Sequence, residues 1–243
     1  MHADQSQSGN FNASCQAQEE FTIKRRHPQK ADALVRELQQ VVALRQQRAL
    51  ILQKSKQGDY EEAIALLHDL ISRYPESAVD YNNRGLLYFH LEEYELALAD
   101  FDRAIAFNNS LDQAYNNRAN CYARLGQYTD AIADYQIALD FNPANLRAWI
   151  NQGITYRELG LYDLALENFE ITLILGKRLQ GRAYGERGRT YHLRGDWNSA
   201  IADYQRALDT LNNTLSARRY KKQVQHWLSQ LTPPKPQSHQ GLA

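Results

Sequence analysis

Apolar and small residues recur along this chain at helical spacing, in runs too short to stand alone. Ala31 to Lys56 holds no Gly or Pro, and Leu34, Leu38, Val41, Val42 and Leu52 approximate one face of a long helix. From Asp59 the runs shorten: Tyr60, Ala63, Leu67 and Leu70 lead to Pro75. Runs of about a dozen residues then alternate with short polar breaks, and isolated helices of that length are marginal in water, so each must pack on a neighbour. Gly126, Gly160 and Gly195 close runs, each followed by an aromatic and a fresh helical stretch. A left-handed backbone is cheap for Gly at a helix end. Near the end Leu215, Tyr220, Val224, Trp227, Leu228 and Leu231 return to helical spacing, and Pro233-Pro234 stops the run. The pattern predicts helices and no strands.

The runs also repeat in register. Tyr88, Tyr122 and Tyr156 are 34 residues apart, with Tyr191 following after 35. Ala63, Ala97, Ala131, Ala165 and Ala200 keep the same steps, as do Phe101, Tyr135, Phe169 and Tyr204, and Gly85, Ala119, Gly153 and Gly188. This ladder resembles the tetratricopeptide repeat family. The resemblance implies an all-α superhelical solenoid of antiparallel helix pairs with a C-terminal capping helix. Five copies are expected, at 44–77, 78–111, 112–145, 146–179 and 181–214, the first degenerate because Ile51 and Lys54 stand where later copies have Gly and Tyr. Residues 29–57 are read as the long N-terminal helix, 215–232 as the capping helix, and 1–28 and 233–243 as disordered tails. Between copies four and five, Gly176 to Gly181 shifts the register by one residue, read as a longer turn rather than a hinge. Small residues on the first helix of a copy are expected to face the alanines on the second, letting the backbones approach.

Charge changes the picture in its distribution only. Lys plus Arg equals Asp plus Glu over the chain, yet residues 58–214 carry 23 acids and 14 bases, so the array is acidic and the ends are basic. The acids fall largely on second helices: Asp100, Asp102, Asp134, Asp140, Glu167, Glu170, Asp203 and Asp209 are expected on a solvated outer face. Cys121 is read as a packed thiol, and Cys15 makes neither a disulfide framework nor a metal site with it. The seven histidines lack partners at metal-ligand spacing, and His90 and His192 are read as exposed groove residues. No catalytic constellation, phosphate loop, membrane-length apolar run or signal segment stands out, so the expectation is a cytoplasmic protein that is no enzyme and needs no cofactor or metal. The basic cluster Arg218, Arg219, Lys221 and Lys222 reads as a solvated helix face. Nucleic-acid or membrane-surface binding is a lesser alternative, and the oligomeric state is open.

The resemblance also implies a concave groove lined by the first helices. Carried over position by position, its candidate residues are Asn82, Leu86, Phe89, Asn116, Asn120, Arg124, Arg147, Ile150, Ile154, Arg157, Arg182 and Arg189. Five of these are arginines, opposed only by Glu158 and Glu186, which suits an acidic peptide or protein segment with apolar anchors. Asn side chains donate to and accept from peptide backbone, though Asn83, Asn117 and Asn151 also suit a bridging role between copies. The best window for a chaperone-tail clamp puts Glu186 where an Arg is needed, which argues against that use. The implied function is an adaptor or assembly scaffold. Self-association is one alternative. Another is assembly of a photosynthetic complex, since the runs Asn82-Asn83-Arg84-Gly85 and Asn116-Asn117-Arg118-Ala119 look like repeat proteins common in photosynthetic bacteria.

Overall fold

The computed structural model describes residues 28–212 and 214–231, and every regular element among them is a helix. Eleven helices follow in order: α1 Pro28–Gln57, α2 Tyr60–Arg73, α3 Ala78–His90, α4 Tyr94–Phe107, α5 Asp112–Arg124, α6 Tyr128–Phe141, α7 Leu146–Glu158, α8 Tyr162–Leu175, α9 Gln180–Arg194, α10 Trp197–Thr210 and α11 Leu215–Ser229. The tails expected at 1–28 and 233–243, with Cys15 and Pro233-Pro234, lie outside the described residues apart from Pro28. Contacts divide the chain into two units, Met1–Leu66 and Leu67–Ala243.

In the first unit α1 is built from good helix formers, Ala, Leu, Gln and Arg, without an interior Gly or Pro. Its N-terminal half leaves Leu34, Leu38, Val41 and Val42 exposed, whereas Ile51 is buried. Lys54, at the ladder position of a later Tyr, pairs with Glu62 at 2.7 Å and with Asp59 at 3.5 Å.

The second unit is a stack of helical hairpins, α3 with α4, α5 with α6, α7 with α8 and α9 with α10. Phe101, Tyr135, Phe169 and Tyr204 sit at the centre of each hairpin, none more than 1% exposed, so each contributes most of the ~1.5–3 kcal/mol that full burial of a large apolar side chain provides. The alanine ladder Ala97, Ala131, Ala165 and Ala200 is fully buried beside them. The reason for the small residue on the first helix is direct. A Cβ added at Gly153 would lie 2.8 Å from the Phe169 ring, and one at Gly85 2.8 Å from Phe101. The turn inside each hairpin needs a left-handed residue. Gly126, Gly160 and Gly195 supply it at φ 75°, 75° and 93°, and copy two places Glu92 there at φ 63°.

Three acids expected on the solvated face are buried instead. Asp100, Asp134 and Asp203 are at most 5% exposed, and each takes a two-pronged guanidinium from the first helix of its own hairpin, Arg84, Arg118 and Arg187. The pairing residues lie 16 apart and recur with the repeat. Each arginine also lies over two tyrosine rings of its own helix: Arg84 over Tyr81 and Tyr88, Arg118 over Tyr115 and Tyr122, Arg187 over Tyr184 and Tyr191. A helical repeat makes residue type alone ambiguous here. An acid next to an anchor aromatic reads as solvent-facing unless its cation on the other helix is identified. Asp102, by contrast, is exposed and makes only a peripheral bond to Arg118 at 2.7 Å.

The capping helix α11 closes the last hairpin. Val224 is buried with Ala200, Tyr204 and Ala207, and Tyr220, Trp227, Leu228 and Leu231 pack around them. Thr214 caps it, its hydroxyl accepting from the Ala217 amide at 3.3 Å. The segment from Gly176 to Leu179 joins α8 to α9 inside this unit.

Candidate functional site

The groove face of the first helices is partly consumed by bonds between copies. Asn117 donates to Asn82 at 3.0 Å, and Asn151 donates to Asn120 at 2.9 Å. One copy later Glu186 accepts from Arg157 at 2.8 Å, and Tyr220 of α11 donates to Glu186 at 2.9 Å. Thus the ladder Asn117, Asn151, Glu186 ties each copy to the one before, and Tyr220, 34 residues after Glu186, ties on the capping helix.

Four of the twelve candidate residues change role as a result. Asn82, Asn116 and Ile150 are buried, at 3%, 8% and 2% exposure. Arg157 is not a free groove cation. Its side chain is 9% exposed and bonded to Glu186 and Glu158. Burial alone would lower its affinity for a proton, but the two glutamates outweigh that and hold it charged. Arg189 is half-buried with its guanidinium over the Trp227 ring. His192 is likewise half-buried rather than exposed, its Nδ1 3.2 Å from the Tyr204 hydroxyl, and burial together with nearby Arg189 lowers its pKa. His90 is exposed.

Five of the remaining candidates converge. Phe89 of α3, Asn120 and Arg124 of α5, Ile154 of α7 and Arg182 of α9 line one cavity of about 620 Å³, within the range of sites that hold a peptide side chain or small ligand. Leu86 packs with Phe89 beside it, and Phe89 meets the Tyr94 ring edge to face at 5.7 Å. Arg147 is exposed but lines no part of this cavity. Tyr135 of the aromatic ladder, Tyr128 of the same helix α6 and Thr155 of α7 add to the lining. Tyr135 donates to Asn120 Oδ1 at 2.7 Å and, buried, keeps its phenol proton well into the alkaline range. Glu158 adds one carboxylate to the rim. A second cavity of about 420 Å³ shares Ile154 and Arg182 with the first and is completed by Arg157, Glu186 and four residues of α11, Arg219, Tyr220, Gln223 and Trp227. The cavity-facing role of α11 was missed from sequence; the signal that could have found it is the 34-residue step from Glu186 to Tyr220.

Chemistry of other kinds finds no support among the described residues. Cys121 is buried, which pushes its thiol up to about 12 and keeps it protonated. No group of three or more His, Cys, Asp or Glu is placed to hold a metal ion, and no helix is long and apolar enough to cross a membrane.

Family models described as tetratricopeptide repeat match residues 47–77, 78–110, 113–145 and 145–219. No curated protein is significantly similar in sequence. Solved structures share the fold. TTC0263, a thermophilic tetratricopeptide repeat protein of Thermus thermophilus, is 19% identical with a TM-score of 0.65, covering 75% of this chain and 98% of that one. MamA from Desulfovibrio magneticus RS-1 is 16% identical with a TM-score of 0.59, covering 68% and 93%. YrrB, described as a repeat protein with an unusual peptide-binding site, is 21% identical with a TM-score of 0.53, covering 71% and 88%.

Proposed function

We propose a function that starts from one fact, that this chain belongs to the tetratricopeptide repeat family: it is an adaptor that holds an acidic segment with apolar anchors in the groove of α3, α5, α7 and α9. Proteins of this family are protein-interaction scaffolds or adaptors. The observation that carries the finer reading is the 620 Å³ cavity, where Phe89, Ala123 and Ile154 offer an apolar seat. Arg124 and Arg182, both exposed, stand at its rim. Asn120 and Asn151 also line it; Asn120 Oδ1 is taken by Tyr135 and Asn151, which leaves Asn120 Nδ2 and Asn151 Oδ1 to meet peptide backbone. Apolar burial supplies affinity, and the rim charges select sign and speed encounter. Arg147 and the buried Arg157 line no part of this cavity.

Selection of short random peptides on the full chain tests this reading. The expected winners carry Asp or Glu beside Leu, Ile or Phe. Phe89→Ala should weaken their capture at every salt concentration, and Arg124→Glu with Arg182→Glu should abolish the part that salt screens, over about 8 Å at physiological ionic strength. The melting curve should hardly move for the arginine pair, whereas Phe89→Ala also loses its packing on Tyr94, so its capture is measured well below its own Tm. Basic winners, or acidic winners indifferent to all three residues, would overturn it.

A further inference from the structure

The capping helix does something that covering a hairpin does not require. Val224, Trp227 and Leu228 satisfy the last hairpin's apolar face. Tyr220 packs beside them and also reaches Glu186 and Gly185 of α9. Its hydroxyl donates to Glu186, and its ring fills the space beside Gly185, where any Cβ would lie 2.5 Å from the tyrosine oxygen. Gly185 thus stands at a groove position because α11 occupies the space a side chain would use. This contact brings Arg219 to the wall of the 420 Å³ cavity, opposite Arg157 and Arg182.

The charges around that cavity do not cancel. Glu186 is its only lining carboxylate, 5% exposed and already accepting from Arg157 and Tyr220. Arg182 and Arg219 make no ion pair among the described residues. Arg157, nine-tenths buried, keeps its Nε–H without an acceptor. The walls between these guanidiniums are Ile154, Tyr220 and Trp227, and low-dielectric walls strengthen the field of unpaired charge. Guanidinium forks match the oxygens of carboxylate and phosphate groups. We infer that α11 completes an oxyanion subsite, formed by Arg182 and Arg219 beside the Arg157–Glu186 pair, that takes a carboxylate or phosphate group of the segment held in the groove. The inference rests on the groove reading and adds a polarity to it. Ile154 and Arg182 belong to both cavities, so the anionic part of the segment lies toward α11 and its apolar anchors toward Phe89.

Titration of the full chain with inorganic phosphate, a triglutamate peptide and a phosphoserine tripeptide tests it, read by calorimetry and by the rise in Tm. The subsite predicts saturable, salt-sensitive binding of at least one of the three, and the peptide arms separate a carboxylate source from a phosphate source. Arg219→Gln and Arg182→Gln should each weaken that binding by about tenfold or more, the loss expected for one charge-assisted hydrogen bond. Lys222→Gln, which removes an exposed charge from the same helix, should leave it unchanged. Arg219→Lys should restore part of the loss. No binding by any of the three probes, or equal losses with Arg219→Gln and Lys222→Gln, overturns the subsite. So does tighter binding of a single-stranded oligonucleotide that depends on Lys221 and Lys222 but not on Arg182. Phe89→Ala separates the two readings: if the groove reading alone fails, phosphate still binds and Phe89→Ala is silent toward every peptide. If the subsite alone fails, selected peptides are lost with Phe89→Ala and kept with Arg219→Gln.

Discussion

Asn168 donates its amide to Gln152 Oε1 at 2.9 Å, in the buried slot where three other hairpins hold an aspartate against an arginine. The two residues are 16 apart, like Arg84–Asp100, Arg118–Asp134 and Arg187–Asp203. The slot therefore demands a hydrogen-bonded pair and not a charge, because what it punishes is a lone buried polar group. Asp134→Ala removes one partner and leaves the Arg118 guanidinium, 19% exposed, with Asp102 alone. The expected cost is about 2–4 kcal/mol in urea unfolding, somewhat below that of a fully buried pair because Asp102 remains. Asp102→Ala, at a 58% exposed side chain, should cost no more than about 1 kcal/mol.

The same slot supports a swap. Asn168→Asp alone buries a carboxylate without a cation, and Gln152→Arg alone buries a cation without its acid. Together they should rebuild the pair of the other hairpins. The expected coupling is about 0.5–3 kcal/mol in favour of the double variant, measured as a double-mutant cycle of unfolding free energies. Additive losses would show that copy four cannot seat the arginine–aspartate pair.

Glu92 occupies the left-handed turn position that its counterparts fill with Gly. An L side chain in that region costs roughly 1–2 kcal/mol, and Gly gives back part of the gain by a freer unfolded chain. Glu92→Gly should therefore raise stability by about 0.5–1 kcal/mol. Gly126→Glu should lower it. Paired thermal melts check both signs.

Gly153 faces the Phe169 ring closely enough that a methyl group has no room, since its Cβ would lie 2.8 Å from the ring. Gly153→Ala should cost about 1–3 kcal/mol by overpacking. Ala119 holds the same ladder position against Tyr135 and is fully buried, so Ala119→Gly should also destabilise, by a smaller amount, through lost burial and a freer unfolded chain. Equal tolerance of Ala at both sites would mean the hairpins are more compliant than this packing implies.

Alkaline pH should unfold the chain through its anchor tyrosines. Burial raises the Tyr204 phenol from 10.0 to about 12, with Arg189 partly opposing. A group whose pKa is raised by folding holds more proton in the native state. Its stabilising contribution is complete below pH 10, declines from pH 10 upward and is lost at about pH 12. Tyr204→Phe removes that linkage, so its Tm should fall less steeply than the parent's between these limits. Tyr220, also raised well above its usual value by burial and by Glu186, should contribute in the same direction.

The repeat was legible because it rests on residues whose roles are local. Ala131 must be small, Tyr135 must be large, and Gly126 must turn, and each leaves its type at a fixed step in the sequence. Five of the twelve groove candidates, Phe89, Asn120, Arg124, Ile154 and Arg182, line one cavity, because helical spacing sets which residues of each first helix share a face. What misled at Asp100, Asp134 and Asp203 was partnership. Charge on a helix suggests solvent until the arginine that neutralises it is located on another helix.

By itself, then, the sequence determined the all-helical repeat, the hairpin turns and the face each first helix turns inward, since helical period and side-chain size act within a few residues. The tertiary structure alone decided which groove groups are spent and which remain. Arg157 is bound to Glu186 across 29 residues, and Tyr220 reaches Glu186 across 34. Those pairings depend on how one hairpin lands on the next. A shift of one turn would have left Arg157 exposed and Arg219 far from Arg182, with the same composition and the same period.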